Sequence, residues 1–305
     1  INEINRTKLI DDKIIGCASI ILVGLCYQNE NKYLSYGSNL LKKISKETLD
    51  NYGFPKSRNI KQLIFYLKYF ILIREWYKES QIKVPEHIDE TIYYLGQGYA
   101  FVWQNINFDI LYNGNNNSDN TNFDNYLERF GYKFKNENQD FGGYVILKNK
   151  KICLTMDAGP TPVSAFSNDY QSGALSIEIV SKGKKLITNC GYSKMNNIKL
   201  KKLSKSTAAH NTLTIDDNSS CKFNKVDKLL FVKKGLKVLK KDIVYEKNYW
   251  KINASHDGYK KKYNTIHERE IEFFPEQEIF VGVDKIVKKI NKNYKFDIRF
   301  HVEPD

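Results

Sequence analysis

The hydrophobic pattern of this 305-residue chain changes period part-way along, and no other feature constrains its fold as strongly. Over the first third, apolar residues recur at helical spacing; beyond about residue 125 they alternate. A helix buries a stripe of period 3.6 and a half-buried strand a face of period 2, so one packing scheme cannot serve both regions. The pattern predicts an all-α part over 1–125 followed by an all-β part over 126–305, an α+β multidomain chain.

In the α part the first helix spans about 9–28 and contains the run Ile14–Tyr27, IIGCASIILVGLCY. That run falls short of the ~20 apolar residues a membrane span needs, and Asp11, Asp12 and Lys13 precede it, so it predicts a buried core helix. A polar break at Gln28–Asn31 leads to a helix from Lys32 to Ser45. After the loop YGFPKSRN a long helix runs from Ile60 to Ser80; Pro85 breaks the chain and another helix runs from Glu86 to Gln104. Successive helical hairpins predict a helix-pair array, a solenoid or a toroid. The polar string NGNNNSDNTNFDN, Asn113–Asn125, predicts a linker. After it come short alternating runs such as GGYVILKNKKICLTMDAG, GALSIEIVSKGKKLITNCG and HEREIEFF. Strands at this spacing predict an antiparallel sandwich. The chain opens on Ile1 and stops on a strand-like FDIRFHVEPD. It is therefore expected to be a piece of a longer protein, and the missing signal peptide says nothing about export.

The net charge is +13 and the isoelectric point about 9.2. Two readings account for this: an acidic partner such as a polyanionic sugar or nucleic acid, or a coding bias that scatters lysine, asparagine and isoleucine. Only Arg6, Arg58, Arg74, Arg129, Arg269 and Arg299 are arginines, which argues against base-specific recognition of nucleic acid. The five cysteines, Cys17, Cys26, Cys153, Cys190 and Cys221, are odd in number and form no CxxC pair, so neither a zinc knuckle nor a disulfide framework is signalled. GQG at 96–98 and GG at 142–143 lack the strand–loop–helix context of a nucleotide site. Trp76, Trp103 and Trp250 are candidates to stack on sugar rings, although aromatics at such spacings are more often core.

Four of the five histidines fall in the β part. In STAAHNTLTIDDNSS, residues 206–220, an extended strand points His210, Thr212 and Thr214 one way and Leu213 and Ile215 the other, which predicts that His210 faces a wet groove. SHDGY holds His256 and Tyr259; in HERE, His267 and Arg269 share a face with Ile271 and Phe273. Taken with DAGP, GALSIEI and LITNCG, these strings resemble the heparinase II/III-like proteins, an α/α toroid followed by a β-sandwich, over nearly the whole chain. The resemblance implies lysis of a uronate-containing acidic polysaccharide by β-elimination. This reaction needs the sugar carboxylate neutralised, a base for the C5 proton and an acid for the departing glycosidic oxygen.

From the resemblance, His210, His256 and Tyr259 are the candidate catalytic residues, in a cleft between toroid and sandwich. His267, Arg269, Asn211, Asp169 and Gln171 are the candidate substrate-binding residues, with Arg269 recognising the carboxylate. Members of the family carry an HxH pair, one histidine catalytic and one binding a structural zinc; here the matching positions are Asp169 and Gln171. The further zinc positions fall on Asn189 and His210. Amides are poor zinc ligands, so no cofactor is expected and Gln171, Asn189 and His210 are expected to form a hydrogen-bonded cluster instead. The toroid's catalytic Asn-His pair aligns near Asp11 and Asp12, and Tyr52 stands near GFPKSRN. The expected partner is an acidic polysaccharide, not nucleic acid; the family places the protein in the periplasm or cell envelope. The replacements at Asp169 and Gln171 favour the alternative, a non-catalytic glycan-binding or envelope-assembly protein on the same fold.

Overall fold

The structure, a computed structural model, describes residues 4, 6, 7, 9–27, 31–103, 109–116, 121–193, 197–227, 229–288 and 293–304. The expected break at 28–30 and the linker positions 117–120 lie outside them. The chain divides into two compact units: one is Ile1–Lys56, Ile60–Gln104 and Asp119–Asn136, the other Ser57–Asn59, Asn105–Ser118 and Glu137–Asp305.

The first unit holds helices α1 (Ile10–Cys26), α2 (Asn31–Thr48), α3 (Ile60–Glu79), α4 (Glu86–Trp103) and α5 (Thr121–Arg129). α1 packs on α2 and α3, and α3 packs on α4. Leu63, Leu67, Phe70, Ile71 and Tyr77 of α3 are buried, as are Ile88, Ile92, Leu95 and Tyr99 of α4, which is the expected helical stripe. No helix among the described residues is long and apolar enough to cross a membrane. The linker expectation for 113–125 needs correction at its end. Phe123 and Leu127 are spaced i, i+4, are buried together, and carry α5.

The second unit contains two antiparallel sheets. One has the order β1 (Asp140–Phe141), β2 (Tyr144–Lys148), β3 (Ile152–Asp157), β4 (Ile177–Ser181), β5 (Lys184–Ile187). The other has the order β12 (Ile279–Lys288), β11 (Thr265–Phe274), β10 (Trp250–His256), β9 (Val238–Tyr245). Their facing side chains form one core: Val145, Leu147, Leu154, Met156, Ile177 and Ile179 from the first sheet meet Trp250, Ile252, Ile271 and Phe273 from the second. Trp250 is thus core and has no face for a sugar. Two strand pairs complete the unit, β6 (Leu213–Ile215) with β13 (Phe296–Ile298) and β7 (Lys222–Val226) with β8 (Leu229–Lys234). The region expected to be all β also carries two short helices, α6 (Ile198–Ser204) and α7 (Lys260–Tyr263). Asn197 caps α6, accepting the Lys199 and Leu200 amides at 2.9 and 3.4 Å.

Strand β3 is buried on both faces. Its second face carries Thr155 and Asp157, beside Tyr144 of β2 and Glu178 of β4, and is covered by 109–116 and Ser57–Asn59. Arg58 donates to Asp157 Oδ1 at 2.6 Å and to the Gly143 and Pro160 carbonyls at 2.9 and 3.3 Å. Its backbone lies in the left-handed region, with φ 58°. A Cβ on Gly159 would fall 2.5 Å from the guanidinium carbon, so only glycine lets the cation lie against this backbone. Asn113 bridges the Tyr144 hydroxyl and Asp157 Oδ2 at 2.6 and 3.2 Å.

Candidate functional site

Asp169 follows the short 3-10 turn Ser164–Phe166, whose Ser164 carbonyl accepts the Ser167 hydroxyl and amide, and it is half-buried. Its Oδ2 accepts the Asn59 amide at 2.8 Å and its Oδ1 the Asn168 amide at 2.9 Å. The Tyr192 hydroxyl, also half-buried, lies near enough to Asp169 to feel its charge. Burial, then the nearby Asp169 carboxylate, push the Tyr192 phenol well above its ordinary value, so it stays protonated. Beneath lies Lys205, 1% exposed. Its ammonium donates to the carbonyls of Asn168, Tyr170 and Leu230, clasping the backbone on both sides of Asp169. Burial pulls Lys205 down to about 7, against the attraction of Asp169. A carboxylate, a protonated phenol and two amides meeting at a half-open surface can accept a proton, donate one and hold an oxygen-rich ligand.

The other expected site residues are interior groups. His256 and His267 are cross-strand partners in β10 and β11, and Arg269 stands opposite Asp284 of β12. The Gly258 amide donates to His256 Nδ1 at 3.0 Å, which leaves His256 Nε2 to donate to His267 Nδ1 at 3.2 Å. His267 Nε2 then donates to Asp284 Oδ1 at 2.6 Å. One acceptor at the head of the chain therefore fixes both tautomers. Arg269 grips Asp284 through Nε and Nη2 at 2.8 and 3.0 Å, and its Nη1 donates to the Leu175 and Asn211 carbonyls at 2.9 and 2.5 Å. Burial opposes ionisation of Asp284, but bonds from His267 and Arg269 and the arginine charge hold it down to about 2. Burial lowers both histidines, His256 furthest, so both are neutral at pH 7.

Three expectations change accordingly. Arg269 is fully buried and its carboxylate is the chain's own Asp284, not a sugar's. Tyr259 lies buried against Tyr263, Leu213 and Ile215, its hydroxyl donating to the Leu213 carbonyl at 2.9 Å. Asn211 is committed throughout, donating to the Ile177 carbonyl at 2.9 Å and accepting the His301 amide at 2.6 Å. The polar face of His210, Thr212 and Thr214 exists, but Thr212 donates to the Ala174 carbonyl and Thr214 to that of Asp297, and the face is buried. No wet groove opens on it. Each strand there is covered on both sides, which period-2 patterning cannot reveal.

The residues at the zinc positions do not fit zinc. Gln171 donates to the Gly191 and Ser204 carbonyls at 3.0 and 2.6 Å, and its Oε1 accepts the Gly114 amide at 3.3 Å. Asn189 Oδ1 accepts the Asn211 amide at 2.9 Å. The amide oxygens are engaged, and only one imidazole remains. The expected cluster is therefore half present. Gln171 and Asn189 tie strands and loops, while His210 meets no partner at hydrogen-bonding geometry. Burial brings His210 down to about 4 although the Ser204 carbonyl near the ring opposes this. A Cβ on Gly173 would lie 3.0 Å from the His210 ring, so a side chain there would crowd the imidazole. The expected result of chelator treatment is an unchanged unfolding midpoint and no stoichiometric zinc by elemental analysis; a chelator-induced drop would contradict this assignment.

Sequence reasoning missed Asn59, Tyr192, Lys205 and Glu178. Asn59 ends the quoted GFPKSRN and Tyr192 follows LITNCG directly, so both signals were in view. Glu178 interrupts an otherwise apolar strand; its Oε2 accepts the Leu111 amide at 2.9 Å and its Oε1 the Asn189 amide at 2.7 Å. Burial raises it to about 7 despite these donors, Lys185 and Thr188. Between pH 4.5 and 7 the folded state thus holds a proton that the unfolded chain releases, so stability from this group falls as pH rises. Glu178→Gln lacks that slope. Relative to the parent, its denaturation free energy should improve from pH 5 to pH 8, by on the order of 3 kcal/mol at most. A pH-independent difference would refute the shift.

A family model described as Heparinase II/III-like, C-terminal, matches residues 137–305, more than half of the chain. Among solved structures, the heparan sulfate lyase HepC from Pedobacter heparinus superposes with TM-score 0.72 at 14% identity, covering 96% of this chain and 48% of that one. A structure titled heparinase III gives TM-score 0.67 at 17% identity, covering 91% and 47%. Another heparinase III gene product gives 0.72 at 15%, covering 90% and 45%. At these identities the likeness is one of fold, and the chain spans about half the length of the structures it matches. No curated protein sequence matches the chain.

Proposed function

Because the chain belongs to the heparinase II/III-like family, whose members are polysaccharide lyases, we propose that its protein cleaves a uronate-containing acidic polysaccharide by β-elimination. The observation that carries the reading is the half-open Asp169, bonded to Asn59 and Asn168, with the Tyr192 phenol beside it. In the proposed step Asp169 takes the C5 proton, and the C5–H electrons form the C4=C5 double bond. The C4–O bond breaks, and the Tyr192 hydroxyl protonates the departing oxygen. A proton then passes from Asp169 back to the Tyr192 phenolate, restoring both groups. In this scheme the half-buried Asn168 amide donates to the sugar carboxylate and lowers the barrier to removal of the C5 proton. No metal enters this scheme. Export to the periplasm or cell envelope belongs to the same proposal.

A second reading has its own support. The family resemblance puts histidines where this chain has Asp169 and Gln171, which suits a glycan binder on the same fold. Mass balance separates the reactions. Elimination gives fragments whose masses sum to that of the substrate, one of them unsaturated, whereas hydrolysis adds water. Fragments carrying added water would sink the lyase reading; an unchanged polysaccharide that still binds would favour the binder.

A further inference from the structure

Helix α6 and the β7–β8 hairpin enclose a cavity of about 250 Å³ lined by Lys202, Lys205, Lys225, Ser206, Ser219 and Phe223. Three of these are lysines and none of the lining residues is acidic. Lys205 forms the floor, fully held by three carbonyls, with its ammonium 4.8 Å from the Phe223 ring centre and 5.8 Å from that of Tyr192. Lys202 and Lys225 are exposed at the mouth on flexible stems. Cations at the mouth, two serine hydroxyls and one aromatic wall match an acidic sugar: the ring packs on the C–H face and the lysines meet the anionic group.

Position adds to the argument. A uronate brought to Asp169 meets a like charge, so nearby cations are needed to make the approach favourable. Lys205 clasps the carbonyls on both sides of Asp169, which ties the cavity floor to the catalytic carboxylate through one side chain. We propose that the cavity is a subsite for an anionic substituent, carboxylate or sulfate, of the saccharide bound at Asp169. The ligand's identity rests on the lyase reading above; the cavity itself does not.

The test is calorimetric titration of the intact protein with a desulfated uronate oligosaccharide and with its sulfated counterpart. The Lys202→Ala/Lys225→Ala pair is expected to raise Kd about tenfold or more for at least one of them. A control pair, Lys150→Ala/Lys184→Ala, removes the same charge from exposed positions in the same unit and is expected to change Kd less than about twofold. A loss with both ligands assigns the site to carboxylate, and a loss with the sulfated one alone to sulfate. Equal losses in the two pairs, or no binding by the parent protein, would overturn the subsite. Binding is read without turnover, so a failed lyase assay leaves this result standing on its own.

Discussion

Asp284→Ala is expected to cost the folded protein about 3–5 kcal/mol, because it strands the fully buried Arg269 guanidinium without its counter-charge. The loss has a second part: His267 Nε2 also loses its acceptor. Asp284→Asn keeps one acceptor oxygen and should cost less. Removing both charges together, as Asp284→Leu/Arg269→Met, should cost less than Asp284→Ala alone, because no lone charge is left buried. Urea denaturation of the three variants checks the order. If Asp284→Ala were no worse than the double replacement, the ion pair would not be what holds β11 to β12 here. The same logic sets acid behaviour. Asp284 is depressed, so its stabilisation is present above pH 3.8 and lost as pH falls towards 2.

The second large effect is on turnover. Tyr192→Phe keeps the ring over Lys205 and removes only the hydroxyl that faces Asp169. Lyase rate should fall about 10²- to 10⁴-fold, the range for loss of a positioned proton donor, with the unfolding midpoint nearly unchanged. Asp169→Asn should lose as much. Combining the two should add little, since the groups act as a unit. Full activity in Tyr192→Phe would remove the phenol from the mechanism.

The architecture was legible where local pattern decides it. The change of period separated helices from strands, and the alternation in HERE placed His267, Arg269, Ile271 and Phe273 on one buried face. Helix α5 escaped because its two apolar anchors, Phe123 and Leu127, sit in a string dominated by asparagine. The site was harder for a physical reason. A histidine or arginine in a compact polar string looks the same whether it meets substrate or another buried side chain. The deciding partners here are remote: Asp284 for Arg269, and Asp157, 99 positions away, for Arg58. Asp169 was singled out by its place in the motif, but Asn59 lies 110 positions from it and Lys205 lies 37 from the Asn168 carbonyl it holds. Spacing cannot foresee such convergence. The resemblance pointed to strings most of whose candidate residues the structure buries.

The central claim is that Asp169 and Tyr192 eliminate across a uronate linkage. Its most direct test is ultraviolet absorbance of the unsaturated uronate, using the intact protein and its Tyr192→Phe variant. The panel is heparan, chondroitin, hyaluronan, alginate and polyglucuronate. The expected result is rising absorbance on at least one polysaccharide, unaffected by chelator and nearly abolished in Tyr192→Phe. A folded parent protein that binds one of these glycans yet produces no absorbance on any would contradict the claim and leave the glycan-binding reading in its place.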